Sequence, residues 1–380
     1  MALIVSKQKE IDEYFASERL SQSTLKKLLE GFSKFVAFQQ KEDDGKENQS
    51  FIIGSAVDCI LTGEEGEFEN QYYVSNLEKK PSDVEMAIVD YVFQSVVATE
   101  EKINDFVSYQ KLILEAADFH KWQLRWKTET RISKLIDAGS EYFQELINSL
   151  GKTIITTEDD HKISQIVFNL RNHHRTKELF DRSLYENNPH VDIYYQLPIY
   201  FTMNGIECKS LLDMLLVFRN PDTNKIESVQ PVDLKTMQGD TINFLLSVKK
   251  WRYDIQAAFY TEAIKNYIYN TLGVEHNFVL HPFKFVVEST SNPGQPLVFT
   301  MTEELMNIGK YGRSGITVRD IIKLISSDFY RGTPIVREIK GFLSLLEEYK
   351  YYSENEWKED KRITEGNGVL KLDWDGINLE

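Results

Sequence analysis

Asp233 and Lys235 stand two residues apart in Val232-Asp233-Leu234-Lys235-Thr236, a stretch that reads as a strand. Side chains alternate faces along a strand, so the acid and the amine point the same way. A further acid, Asp213, lies 20 positions upstream of Asp233. Two carboxylates can hold a hard divalent cation, and an ammonium beside them can orient and acidify a water. That set suits hydrolysis of a phosphodiester, which needs a water aligned opposite the leaving oxygen and positive charge near the phosphorane.

Such groups need elements to position them. Asp192–Tyr200, Ile206–Phe218, Ile226–Thr236 and Asn277–Glu288 are rich in β-branched and aromatic residues and are predicted strands. Met203-Asn204-Gly205 and Asn220-Pro221-Asp222 are hairpin-type breaks between them. Asp213 and Asp233 therefore belong to adjacent antiparallel strands, and their carboxylates can converge. A helix from Phe244 to Asn270 is predicted to separate the third strand from the fourth. Upstream, Ser21 or Ser23 can cap a helix with Leu25, Leu28 and Leu29 on its apolar face and Gly31 at its end. Phe51–Leu61 reads as another helix. Thr156 and Asp159 form a capping pair ahead of Ile163, Ile166, Val167 and Leu170.

The expected fold class is α/β, a central mixed sheet flanked by helices with a helical insertion over about 81–135. The expected organisation is a single domain over 1–352, mostly helical after Pro293-Gly294, and a polar tail over 353–380. No internal repeat is evident.

Hydrophobic content of 42% and charged content of 27% are those of a globular chain. Cys59 and Cys208 are the only cysteines and lie outside any metal-ligand spacing, which excludes a four-cysteine iron–sulfur cluster and points to the cytoplasm. No run approaches a bilayer span, so no membrane partner is expected. The formal net charge of −15 argues against coating nucleic acid through bulk charge. It is compatible with a local basic groove around a metal-neutralised acidic site.

Asp213, the Asp233-Leu234-Lys235 element and the later helix with Tyr253, Gln256 and Tyr260 occur in the order that resembles the PD-(D/E)XK nuclease superfamily. The RecB-like and exonuclease VIII-like exonucleases are the nearest in kind. Ser21-x-Ser23-x-Leu25 followed by Phe32 and Phe35 is similar to the opening of the exonuclease VIII-like proteins, and the likeness covers Leu20–Leu61 and about Tyr142–Gly309. The resemblance implies a DNA nuclease using Mg²⁺ or Mn²⁺, held by Asp213, Asp233 and the Leu234 carbonyl, with Lys235 at the attacking water. It places Gln256 and Tyr253 near the active centre, from a Tyr-x-x-Gln-x-x-x-Tyr signature whose spacings share one helical face. It further implies an exonuclease of recombination or phage DNA metabolism in a bacterial cell or phage-infected host. A single-strand annealing recombinase and a ring-shaped homo-oligomer come with it as partners.

Two positions depart from the pattern. RecB-like members carry Gly-x-x-x-His, and here Gly54 is followed by Asp58, which would replace the histidine as a hard oxygen ligand. Gln196 stands where some relatives have an acid. No proline precedes Asp213. Lys249, Lys250 and Arg252 around Trp251 are candidate phosphate contacts, or a solvated helix start. Lys310–Gly315 is a weaker candidate of the same kind, and His173-His174 reads as a polar helix end. Two rivals stay open: an endonuclease of the same fold, and a catalytically silent nuclease fold serving DNA binding or assembly.

Overall fold

The computed structural model describes residues 7–39, 49–77, 80–99, 103–149, 151–186, 188–313, 339–358 and 360. The chain forms two compact units, one of residues 55–165 and one of residues 1–54 with 166–380.

In the 55–165 unit, β1 (Tyr72–Ser75) and β2 (Thr153–Thr156) pair in parallel. Around them stand the Asp83–Val97, Gln110–Phe119 and Thr128–Ser149 helices. Ser82 and Glu85 make a reciprocal capping box at the first of these. Ile88, Val92, Phe106, Ile113, Leu135 and Phe143 form the unit's apolar core. A Cβ on Gly139 would lie 2.6 Å from Val89 Cγ2, so glycine permits the close packing of two helices here. The helical region is wider than the 81–135 insertion read from the sequence, because the long Thr128–Ser149 helix continues the same core.

The larger unit is built on a mixed sheet of β3 (Val191–Met203), β4 (Ile206–Arg219), β5 (Ile226–Met237), β6 (Val279–Leu280), β7 (Lys284–Ser289) and β8 (Leu297–Thr300). The order is β3-β4-β5-β7-β8, with β6 also paired to β5. Asn204 and Gly205 join β3 to β4 at φ values of 53° and 80°, the left-handed pair that a two-residue hairpin turn requires. β5 and β7 run parallel, joined by a helical crossover. Leu215, Val217, Val229, Phe285 and Val287 bury one sheet face against Ile255, Ala258, Phe259 and Phe342.

Three expectations are corrected. The predicted Phe244–Asn270 helix is two α-helices, Phe244–Trp251 and Tyr253–Asn266, broken at Arg252 with φ 52°. The guanidinium of Arg252 is tied to Asp254, which holds the break in place. The Asn277–Glu288 strand is interrupted between β6 and β7 around Pro282, which has no N–H for a ladder. The region after Pro293 begins with the four-residue β8, too short to stand out by alternation, before the Glu303–Tyr311 helix. The expected 353–380 tail lies outside the described residues from 361 onward, and Phe342–Glu354 is helical.

Candidate functional site

Asp213 and Asp233 occupy the point where β4 and β5 part. Their ladder runs from Arg219↔Ile226 to Met214↔Val232 and stops there. Continuing that register sets Asp213 opposite Asp233, on one face. Beyond Val232 the Leu234 N–H no longer meets a β4 carbonyl and donates instead to Asp213 Oδ2 at 2.8 Å. The N–H and C=O of one strand residue leave on the same side, so the Leu234 carbonyl also looks into the gap that β4 has vacated.

The gap coincides with an irregularity in two strands. Leu197, Ile199 and Phe201 enter the core from β3 on odd positions, whereas Tyr194 enters on an even one. The change falls at Gln196, which adopts a left-handed φ of 44°. On β4 the change falls between Leu212 and Leu215. Tyr195↔Met214 and Leu197↔Leu212 bracket Gln196 and Asp213, which face each other across the ladder. Non-glycine residues held at such φ are costly and concentrate at functional sites.

Asp233 is 1% exposed. Its Oδ1 accepts a hydrogen bond from Gln256 Nε2 at 2.6 Å. Its Oδ2 lies 2.5 Å from Lys235 Nζ, yet that charge contact is not aligned as a hydrogen bond and Oδ2 has no other donor. Burial pushes the Asp233 carboxyl above its usual range, while Lys235 and Lys26 pull it back. Burial also works against the Lys235 charge, but Asp233 and Asp213 outweigh it and raise that pKa above the ordinary lysine value. Lys235 is an ammonium at neutral pH.

Tyr253 braces that ammonium. Its ring stacks on Phe244 and meets Phe285 at a tilt of 32°, and Lys235 Nζ lies 5.3 Å from its centroid. Lys26, which sequence reasoning treated only as part of a capped helix, shares the same ring at 5.8 Å and donates to the Trp251 carbonyl at 3.1 Å. Burial, then the Lys235 charge, push the Lys26 pKa down to about 8. The signal for it was its place directly after the Ser21-x-Ser23-x-Leu25 element. Tyr260 is buried in the core, as packing alone would have it.

Lys249 and Lys250 are exposed on the Phe244–Trp251 helix, with Lys250 Nζ 4.5 Å above the Trp251 ring. Arg252 is not available in the same way. Its guanidinium is engaged by Asp254 at 2.8 Å and by the Lys340 carbonyl at 2.8 Å. Lys310 is likewise committed, to Glu262 at 2.9 Å. Ser314 and Gly315 lie outside the described residues. His173 and His174 lie against each other at a tilt of 32° just past the Thr157–Asn172 helix end.

Asp58 belongs to the 55–165 unit, one turn beyond Gly54 on the Gln49–Thr62 helix. One of its oxygens accepts from Thr62 Oγ1 at 3.1 Å. Gly54 itself lies against the site strand, since a Cβ there would meet Thr236 Oγ1 at 2.8 Å. Among the described residues no group of three or more His, Cys, Asp and Glu side chains is gathered to hold a metal. At the gap, the Asp213 and Asp233 carboxylates and the Leu234 carbonyl offer oxygens that could serve a metal. All are hard oxygens, and Asp233 Oδ2 is a buried oxygen with no aligned donor, which is the chemistry a magnesium-class cation takes.

A family model described as a PDDEXK-like domain of unknown function (DUF3799) matches residues 21–311. No curated protein sequence matches the chain. Among solved structures, one from Eubacterium rectale described as a "Putative exonuclease" is 12% identical, with a TM-score of 0.39 and 80% of each chain covered.

Proposed function

The chain belongs to the family of PDDEXK-like domains described as DUF3799, and from that premise we propose that it is a metal-dependent DNA nuclease hydrolysing phosphodiesters at the Asp213–Asp233–Lys235 site. The observation that carries the reading is the convergence of both acids and the lysine at the parting of β4 and β5, with Asp233 held by Gln256.

Asp213, Asp233 and the Leu234 carbonyl would hold Mg²⁺ or Mn²⁺. Bound there, the cation would supply positive charge to the attacked phosphate and acidify a water. The remaining work falls to side chains. Gln256 fixes the Asp233 carboxylate through Oδ1 and leaves Oδ2 facing the site. Lys235, being an ammonium, cannot serve as the base that removes the water's proton. It donates hydrogen bonds that align the water and offset the charge of the phosphorane. Tyr253 limits where that ammonium can go. As the water oxygen bonds to phosphorus it gives up its proton to solvent, and as the bond to the leaving oxygen breaks that oxygen takes a proton from solvent water. Lys249 and Lys250 would meet the DNA backbone beside the site.

The finer reading is an exodeoxyribonuclease of recombination or phage DNA metabolism. It is tested by incubating the protein with end-labelled linear duplex and with covalently closed circular DNA, with Mg²⁺ or Mn²⁺. Linear digestion with the circle intact supports it, and loss of the circle assigns an endonuclease. Asp233→Ala should abolish cleavage of either substrate. Absence of metal-dependent cleavage by the native chain would refute the catalytic reading and favour a silent DNA-binding fold.

A further inference from the structure

The turn between the Gln110–Phe119 and Thr128–Ser149 helices displays aromatic rings instead of burying them. Phe119 is 69% exposed and Trp126 43% exposed. Phe119 lies 5.7 Å from the Tyr91 ring at an interplanar angle of 31°, and Trp122 meets Trp126 edge-on at 5.6 Å. Over residues 119–127 the chain also carries Lys121, Arg125 and Lys127 and no carboxylate, within a protein of net charge −15. All three cations are exposed. Asp118, the acid just before them, is answered by Arg131 at 2.7 Å.

The turn is shaped rather than slack. Trp122 N–H bonds the Ala117 carbonyl at 2.8 Å, and Trp126 N–H bonds the Gln123 carbonyl at 2.9 Å. Lys121 and Gln123 both adopt left-handed φ, 53° and 46°. Non-glycine residues held there cost free energy, and the turn maintains two of them while presenting large rings to water. Burial accounts for Trp122, which packs partly buried against the unit's core, but not for Phe119 and Trp126, which stay exposed.

We propose that this turn is a binding platform for single-stranded DNA, remote in sequence from the nuclease residues. Exposed rings offer faces on which unpaired bases stack whatever their sequence, and interleaved cations meet the phosphates between them. Paired bases present no free faces, so the platform selects single strands over duplex. The choice of DNA among polyanions rests on the nuclease reading, but the platform's binding does not depend on cleavage.

The test uses the full chain in EDTA, so that neither metal nor hydrolysis enters, and a fluorescent thymidine 20-mer read by anisotropy. Native protein should bind it more tightly than the matching duplex and show quenched tryptophan emission. Its log Kd should rise with log salt at a slope of about 2, as three cations imply for a single strand. Trp126→Ala should weaken binding about tenfold, whereas Trp126→Phe, which keeps a stacking ring, should retain most of it. Arg125→Glu, at an exposed position, should weaken binding and flatten the salt slope. Unchanged affinity in both Trp126→Ala and Arg125→Glu would overturn the proposal. So would a native chain that self-associates in sedimentation through this turn, with Trp126→Ala dissociating it and the oligonucleotide unaffected. Failure of the nuclease reading would show only in the cleavage assay.

Discussion

Replacing Lys235 with methionine removes one half of a buried ion pair while keeping the unbranched stem up to the position of Cε. Asp233 then sits 1% exposed with Gln256 on one oxygen and no cation against the other. Breaking such a pair by deleting one partner costs about 3–5 kcal/mol. The carboxyl can escape part of this by taking a proton. Holding it neutral at pH 7, about three units above its unfolded value, costs about 4 kcal/mol, so the two routes are comparable and protonation competes. At pH 5 the same neutralisation costs only about 1.5 kcal/mol. A carboxyl whose folded pKa lies above its unfolded one contributes stability below the unfolded value and loses it as pH rises through the folded value. The Lys235→Met chain should therefore lag the native one by about 4 kcal/mol at pH 7 and recover more than half of that deficit at pH 5. Urea denaturation in EDTA at both pH values measures it. Added Mg²⁺ at pH 7 should restore stability to the variant more than to the native chain, because a cation can take the place of the lost ammonium. Cleavage should stay absent in all conditions. A deficit below about 1 kcal/mol at pH 7, or one equal at pH 5 and 7, would refute the view that Lys235 is what neutralises Asp233.

Gln256→Ala should lower cleavage about tenfold to a hundredfold and raise the metal concentration needed, since it frees the Asp233 carboxylate to rotate; a metal titration of the cleavage rate would show both effects. Gly54→Ala should destabilise the chain by about 1–3 kcal/mol, read by thermal or urea unfolding, because its methyl would fall 2.8 Å from Thr236 Oγ1 on a short side chain with little room to give. Lys26 has a folded pKa of about 8 against 10.5 ordinarily, so the unfolded chain binds more protons between those values and stability should rise with pH across that window. Unfolding of Lys26→Met, measured in EDTA from pH 7.5 to 10, should lack that rise; a rise equal to the native one would show that Lys26 is not held under strain beside Lys235.

Much of the site could be read in order along the chain, because the relevant rules are local. Alternation put Asp233 and Lys235 on one face, and the turn at Asn220 made Asp213 a neighbour. The 3-4-7 spacing set Tyr253, Gln256 and Tyr260 on one helix, although the helix starts one residue after a break that periodicity does not reveal. Arg252 looked like a phosphate contact because charge is visible in sequence and its partner Asp254 is not recognised as a partner until the backbone turns left-handed at Arg252 itself. Lys26 was overlooked for the converse reason. It lies more than 200 residues from Lys235 in sequence and reaches the same tyrosine ring only through packing.

By itself, the sequence determined the types of the long strands and helices but not the four-residue β1, β2 and β8. It also determined the order of the acid, acid and lysine and the absence of a cysteine-held cluster, all of which follow from periodicity and residue chemistry within a few turns. Tertiary structure alone decided where β4 and β5 part, that Gln196 faces Asp213 in a left-handed backbone, and that Asp58 has Thr62 as a partner. It also decided that Phe119 and Trp126 face water rather than a core. Those outcomes depend on which distant surfaces compete for each side chain, and burial and pairing between remote residues are properties of the packed chain that no local pattern encodes.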